Sequence, residues 1–181
     1  MYNPDMSSTL PAAHELTVVI PVYNEAQALP HFLPELIGIC KIGKWQVILV
    51  NDGSKDDSAR ILGQFEHESH VKVLNHKVNR GYGGALKTGL SSARTRYVVT
   101  MDGDGQHRVS DLEAVFRFAL ENDADMVIGS RSEVEHVNVY RELGKWIIRS
   151  FTRILVPLPI KDLNSGFKLY HTRLVHRYLH L

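Results

Sequence analysis

The chain has one cysteine, Cys40, in 181 residues. An internal disulfide and a cysteine metal cluster are therefore excluded, and a reducing compartment fits. Cys40 itself reads as a small buried hydrophobe on a helix. No apolar run approaches the ~20 residues of a membrane-spanning helix. Residues 1–15 contain Pro4, Asp5, Pro11 and Glu15 and no apolar core, so no signal peptide is expected. Net charge is scarce too. The 21 Lys and Arg nearly balance the 20 Asp and Glu, leaving +1, and bulk electrostatics give no reason to expect nucleic acid as a partner. Repeats and low-complexity linkers are absent. So are two nucleotide signatures. There is no G-x-x-x-x-G-K-[ST] loop, and the first strand is followed by PVYNE rather than G-x-G-x-x-G.

What is present is alternation. With 44% apolar and 23% charged residues, the chain suits one soluble domain with a real core. Residues 1–15 are expected to be a poorly ordered N-terminal segment, and 16–181 a single domain. Short apolar, β-branched runs at 16–20, 45–50, 71–74, 97–101 and 125–129 read as strands. Helical patterns separate them, at about 26–39, from Asp56 or Asp57 to about 68, 84–94 and 110–121. Asp56 or Asp57 is expected to cap the second helix, and Ser110 with Glu113 to form a capping box on the fourth. Pro30 and Pro34 predict an irregular first helix. Strands alternating with helices predict right-handed βαβ units and a mostly parallel sheet covered on both faces, a Rossmann-like α/β fold.

Ligands of such sheets bind beyond the carboxyl ends of the strands, and the polar residues gather there. The first strand leads to Tyr23 and Glu25, the second to Asp52, and the fifth to Ser130 and Arg131. The fourth ends in Asp102-Gly103-Asp104-Gly105-Gln106. Glycine lets the backbone turn sharply, so two acids of odd spacing can face one point. Two carboxylates and an amide oxygen suit a hard cation such as Mg²⁺ or Mn²⁺, which commonly takes its remaining ligands from substrate phosphates. Taken alone, the pentapeptide is equally a β-turn. Four polar strand ends on one edge instead favour a pocket for a cation-bound, phosphate-bearing ligand with a stackable base.

Other features keep two readings. Gly81, Gly83, Gly84 and Ala85 let a helix start close to the sheet or a ligand. His67 with His70, and His176 with His180, read as surface residues, whereas His107 either approaches the pocket or caps a helix. Arg141, Lys145, Arg149 and Arg153 form a basic stripe on a helix whose other positions are largely apolar. That helix over 141–160 either lies in a membrane interface or packs on the domain. Residues 162–168, DLNSGFK, form a second pocket wall carrying Lys168, or a turn into a short edge strand from Phe167 to Tyr170.

The segments VVIPVYNEA, VNDGSKDDS, NRGYGGALKTGL, MDGDGQH, VIGSR and IKDLNSGFKLY, in this order and spacing, resemble family 2 glycosyltransferases. The similarity is to dolichol-phosphate mannose synthases and bacterial polyprenyl-phosphate glycosyltransferases, and runs from about Leu16 to Tyr170. The resemblance implies a GT-A fold, a UDP- or GDP-hexose donor and Mg²⁺ or Mn²⁺. It implies that Pro21, Tyr23, Glu25 and Asp52 hold the nucleoside, joined by Asp102, Gly103 and Asp104 around the nucleotide sugar. Asp102, Asp104 and Gln106 would form the metal shell. Arg131 and Lys168 would face phosphates of donor or acceptor, and Arg141 would help receive the acceptor. Asp104, Arg131, Lys168 and Arg141 thus form the expected catalytic set.

The acceptor implied is a polyprenyl phosphate, dolichyl or undecaprenyl, at a membrane face. That favours a peripheral enzyme at the cytoplasmic face, seated through 141–160. A phosphate acceptor is already anionic at neutral pH, so inverting attack needs no strong general base. Relatives continue beyond the equivalent of Leu181, so the domain is expected to lack their C-terminal elements. Two alternatives stay open: a non-catalytic nucleotide-sugar-binding domain, and a family 2 transferase with a soluble hydroxyl acceptor.

Overall fold

The computed structural model describes residues 15–104, 109–129 and 166–179. The strands are β1 (Leu16–Val22), β2 (Gln46–Asn51), β3 (Val71–Asn75), β4 (Tyr97–Thr100), β5 (Met126–Ile128) and β6 (Lys168–His171). Between and after them run α1 (Leu29–Ile42), α2 (Ser58–Gly63), α3 (Tyr82–Ser92), α4 (Val109–Glu121) and α5 (Thr172–Tyr178). The strands form one sheet in the order β3-β2-β1-β4-β6-β5. β1 to β4 pair in parallel, whereas β6 runs antiparallel to both β4 and β5.

Alternation along the strands builds two cores. Leu16, Val18, Ile20 and Val22 of β1 point to the side covered by α1, α2 and α4, with Leu33, Leu36, Leu62, Leu112 and Phe116. Val19, Ile48, Val50 and Val98 face α3 and α5, with Ala85 and Val175. Trp45 and Tyr97 meet Phe116 edge to face, with ring centres 5.6 and 5.9 Å away. The close approach expected of the small-residue helix is made by Ala85, which is fully buried, and Gly89. A Cβ on Gly89 would collide with the side chains of Val19 and Val50, whereas one on Gly83 would meet open space. Cys40 is buried on α1, as expected, and burial pushes its thiol up to about 12.

Several local expectations are corrected. β1 does not stop before Pro21 but runs on to Val22, with Pro21 opposite Val50. The carbonyl of Val19 faces β4, accepting from Met101 N–H at 3.0 Å. By alternation the missing donor of Pro21 faces the same side, where β4 has already ended, so no ladder bond is lost. α2 ends at Gly63 rather than near residue 68. Phe65 and Glu68 continue in tighter turns, donating to the carbonyls of Leu62 and Phe65. Asp57 takes the N-cap of α2 without a side-chain capping bond, while Asp56 accepts from Ser58 N–H and Ala26 N–H, each at 3.0 Å. Ser110 lies inside α4, and Glu113 pairs with Arg117 at 3.4 Å instead of closing a capping box. His70 is not a surface residue. It is 9% exposed and its Nε2 lies 3.2 Å from the Ile37 carbonyl. β6 is no edge strand, since β4 and β5 flank it. Residues 1–14, Gln106, His107, Ser130, Arg131 and the 141–160 helix with Arg141 lie outside the described residues.

Candidate functional site

The carboxyl ends of β1, β2 and β4 open onto one cleft of ≈ 300 Å³. Its lining contains every described residue expected to hold the nucleotide sugar: Pro21, Tyr23, Glu25, Asp52, Asp102, Gly103 and Asp104. Asn79 and Tyr82 line it as well.

The loop after β1 is held from below by the loop after β2. Asn24 adopts a left-handed backbone, φ 56°, which its side chain supports by accepting from Lys55 N–H at 2.8 Å. The backbone N–H groups of Asn24, Glu25 and Ala26 donate to Ser54 Oγ, Ser58 Oγ and Asp56 Oδ2 at 3.1, 2.9 and 3.0 Å. The segment expected to cap a helix thus sets the path of the chain that presents Tyr23 and Glu25. Gly53 turns with φ 68°, and a Cβ there would press on the backbone of Val78 and Asn79 at 2.8 Å. Only glycine lets this turn sit against the loop that enters α3.

Asp52 is 2% exposed. Its Oδ1 lies 2.6 Å from His76 Nδ1 and accepts from Arg80 N–H at 2.9 Å. Burial alone would raise the Asp52 carboxyl, but the His76 contact and the Arg80 and Gly81 N–H groups outweigh it and hold the group below the usual carboxylate range.

On the other side, Gly103 is buried, and a Cβ on it would lie 2.9 Å from the Pro21 carbonyl oxygen. The chain leaving β4 therefore crosses tightly over the end of β1, and it carries Asp102 and Asp104 on either side of that crossing. Tyr82 donates its hydroxyl to Asp102 Oδ1 at 2.7 Å. Burial first, and then this bond, push the Tyr82 phenol upward, so it remains a donor. Gly166 packs against the same carboxylate, and a Cβ there would collide with both oxygens. Thr100 Oγ1 fixes it by donating to the Gly166 carbonyl at 2.9 Å. Of the DLNSGFK segment, Gly166 thus packs on an acid that lines the cleft. Lys168 opens β6 opposite Thr100 and is not among the lining residues.

Four of the lining residues are acids, and among the described residues the lining has no Lys or Arg. Burial raises the Glu25 carboxyl above its ordinary value, and the like charges of Asp104 and Asp56 add to the rise. No group of three or more His, Cys, Asp or Glu suited to a metal exists among the described residues. Asp102 and Asp104 nevertheless fit a hard divalent cation, because Mg²⁺ sites typically use one or two carboxylates and complete their shell from phosphates and water. The third expected ligand, Gln106, lies outside the described residues.

Sequence reasoning assigned no role to Asn79, Tyr82 or His76. Asn79 and Tyr82 stand in the NRGYGG segment, where the glycines drew attention first. His76 follows β3 directly, and the edge rule applied to that strand would have found it.

A mostly parallel, doubly covered sheet with a cleft at its carboxyl edge defines a Rossmann-like α/β fold, whose ligands bind at that edge. Comparison with known proteins narrows this. Glycosyl transferase family 2 matches residues 17–180, and the chain belongs to that family. A dolichyl-phosphate beta-glucosyltransferase of Dictyostelium discoideum is 32% identical over 174 residues, covering 86% of this chain and 53% of that protein. An undecaprenyl-phosphate 4-deoxy-4-formamido-L-arabinose transferase of Pectobacterium carotovorum is 29% identical over 169 residues, covering 91% and 51%. The chain thus spans about half the length of these relatives. Among solved structures, the mannosyltransferase PcManGT of Pyrobaculum calidifontis, in complex with GDP-Man and Mn2+, superposes with a TM-score of 0.65 at 18% identity, covering 92% of this chain and 47% of that one. The fold is the GT-A fold that the motifs implied.

Proposed function

We propose that this chain is the donor-binding part of a metal-dependent, inverting glycosyltransferase that moves a hexose from a UDP- or GDP-sugar to a polyprenyl phosphate. The observation that carries the reading is the cleft itself: four carboxyl side chains and, among the described residues, no lining Lys or Arg. A nucleoside diphosphate is repelled by such a lining unless a cation enters with it. Asp102, Asp104 and Gln106 would hold Mg²⁺ or Mn²⁺, which when bound supplies the positive charge that a departing diphosphate needs. Asp52 and the Tyr23 ring would receive the base, and Pro21, Glu25 and Gly103 would shape the path to the phosphates. Lys168, Arg131 and Arg141 are assigned to phosphates of donor or acceptor, completing the expected catalytic set with Asp104.

Two relatives named for dolichyl-phosphate and undecaprenyl-phosphate transfer support an isoprenoid phosphate acceptor. Such an acceptor is an anionic nucleophile at neutral pH. An acceptor of this kind lies in a lipid surface, and the basic, apolar 141–160 segment is assigned to that surface at the cytoplasmic face. No helix among the described residues is long and apolar enough to cross a membrane.

The test is transfer of radiolabelled hexose from UDP- and GDP-sugars to dolichyl or undecaprenyl phosphate in detergent. Label in the extracted lipid, abolished by chelator, is the expected result. Donor binding without any lipid label would favour a binding domain, and label only in a water-soluble product would favour a hydroxyl acceptor.

A further inference from the structure

Beneath the cleft, Asp52 leads into two side chains that the reading above leaves without a role, His76 and Thr88. Strand register creates the arrangement. Asn51 and Asn75 are partners at the ends of β2 and β3, so the residues that follow them, Asp52 and His76, emerge side by side. Two bonds lock this exit. His76 N–H donates to the Asn51 carbonyl at 2.9 Å, and Asn51 Nδ2 donates to Asn75 Oδ1 at 2.9 Å. The His76 ring then bridges two partners, with Nδ1 2.6 Å from Asp52 Oδ1 and Nε2 2.9 Å from Thr88 Oγ1. The side chains of His76 and Asp52 are 6% and 3% exposed.

Asp52 Oδ1 accepts from Arg80 N–H at 2.9 Å, as a carboxylate does, and at 2.6 Å it accepts from His76 Nδ1–H as well. Thr88 Oγ1, which also lies 3.0 Å from the Gly84 carbonyl, holds Nε2 on the far side of the ring.

We propose that His76 is a positioning residue: a buried imidazole ring, oriented by Thr88, whose Nδ1–H fixes the Asp52 carboxylate as a hydrogen-bond acceptor for the base of the donor. This rests on the reading of the cleft as a nucleotide-sugar site. A carboxylate held in one orientation and one charge state accepts from a ring N–H, which uracil and guanine present. Cytosine and adenine present an unprotonated ring nitrogen at the corresponding position and are disfavoured. His76 touches no substrate in this arrangement. Its effect passes through Asp52.

The experiment is calorimetric titration of the chain and its variants with two matched pairs, UDP against CDP and GDP against ADP, and with pyrophosphate, all with Mn²⁺. In His76→Leu the better-bound ring-N–H nucleotide is expected to lose about tenfold in affinity, the order for a hydrogen bond to a charged group. Pyrophosphate and the disfavoured partner nucleotide should bind as before. His76→Asn puts an amide N–H near the place of Nδ1–H and is expected to stay within about threefold of the parent. If His76→Leu does not fold, nitrogen-15 NMR of the unmodified chain decides, with His76 Nδ1 expected to carry a proton. Unchanged discrimination in His76→Leu, or a ring whose Nδ1 carries no proton, overturns the proposal. Failure of the unmodified chain to bind any nucleotide would instead strike the donor-site reading, and the NMR result would stand apart from it.

Discussion

Asp52 and Asp104 serve one cleft from opposite sides, and their surroundings differ in kind. Asp52 is 2% exposed and is gripped by His76 and the Arg80 N–H, whereas Asp104 is exposed. Neighbours lower the Asp52 carboxyl, but Asp104 and Asp56 help burial to raise that of Glu25. The fold has satisfied the Asp52 carboxylate with its own donors. On the Asp104 side it concentrates negative charge, which a cation would relieve. The difference teaches that an acid at a strand end can belong to the folded framework or to the ligand, and that its neighbours decide which.

Substitutions sharpen the contrast. Asp52→Ala leaves the buried His76 Nδ1–H and the Arg80 N–H without their acceptor and is expected to cost ~2–5 kcal/mol of stability, read from chemical denaturation. Ser58→Ala is next. Ser58 is fully buried and its hydroxyl accepts the Glu25 N–H, so its loss strands a backbone donor and should cost ~1–3 kcal/mol. Gly166→Ala forces a methyl into the Asp102 carboxylate. Metal-dependent nucleotide affinity should fall by about tenfold, with the stability loss of an overpacked site, ~1–3 kcal/mol. Asp104→Ala is expected to change stability by less than ~0.5 kcal/mol, as for an exposed position. A large stability loss there, or none at Asp52, would break the comparison.

The two sides should also separate in pH. The Asp52 carboxyl is lowered in the folded chain, so folding holds its proton less tightly than the unfolded chain does. Its contribution to stability is complete above the unfolded value of about 3.9. It is lost as the pH falls through the lower, folded value. Glu25 is raised, so its effect has the opposite sign. Stability declines as pH rises from the ordinary glutamate range through the raised value. Denaturation midpoints of Asp52→Asn and Glu25→Gln across the acid range, compared with the parent, should resolve these opposite slopes.

Much of this was legible from strand ends alone. Alternating apolar runs placed Tyr23, Glu25, Asp52, Asp102 and Asp104 on one edge, because parallel strands must all emerge on the same side. What escaped was contact made across elements. Nothing local to DGSKDDS tells that Ser54, Asp56 and Ser58 also bind the backbone of residues 24–26. Pro21 looked like a stop because its lost donor is harmless only where β4 has ended. His76 reads as an ordinary polar residue until the β2–β3 register sets it beside Asp52. β6 looked like an edge because its interior place depends on β5 pairing outside it, which no local pattern encodes.

The central claim is that the acidic cleft binds a nucleoside diphosphate through a divalent cation. Titration of the chain and of Asp104→Ala with UDP and GDP, in Mn²⁺ and then in excess chelator, tests it most directly. The account predicts binding by the parent that chelator abolishes, and an Asp104→Ala chain that folds normally but no longer responds to Mn²⁺. Equal affinity with and without the metal, or an Asp104→Ala chain that binds like its parent, would contradict it.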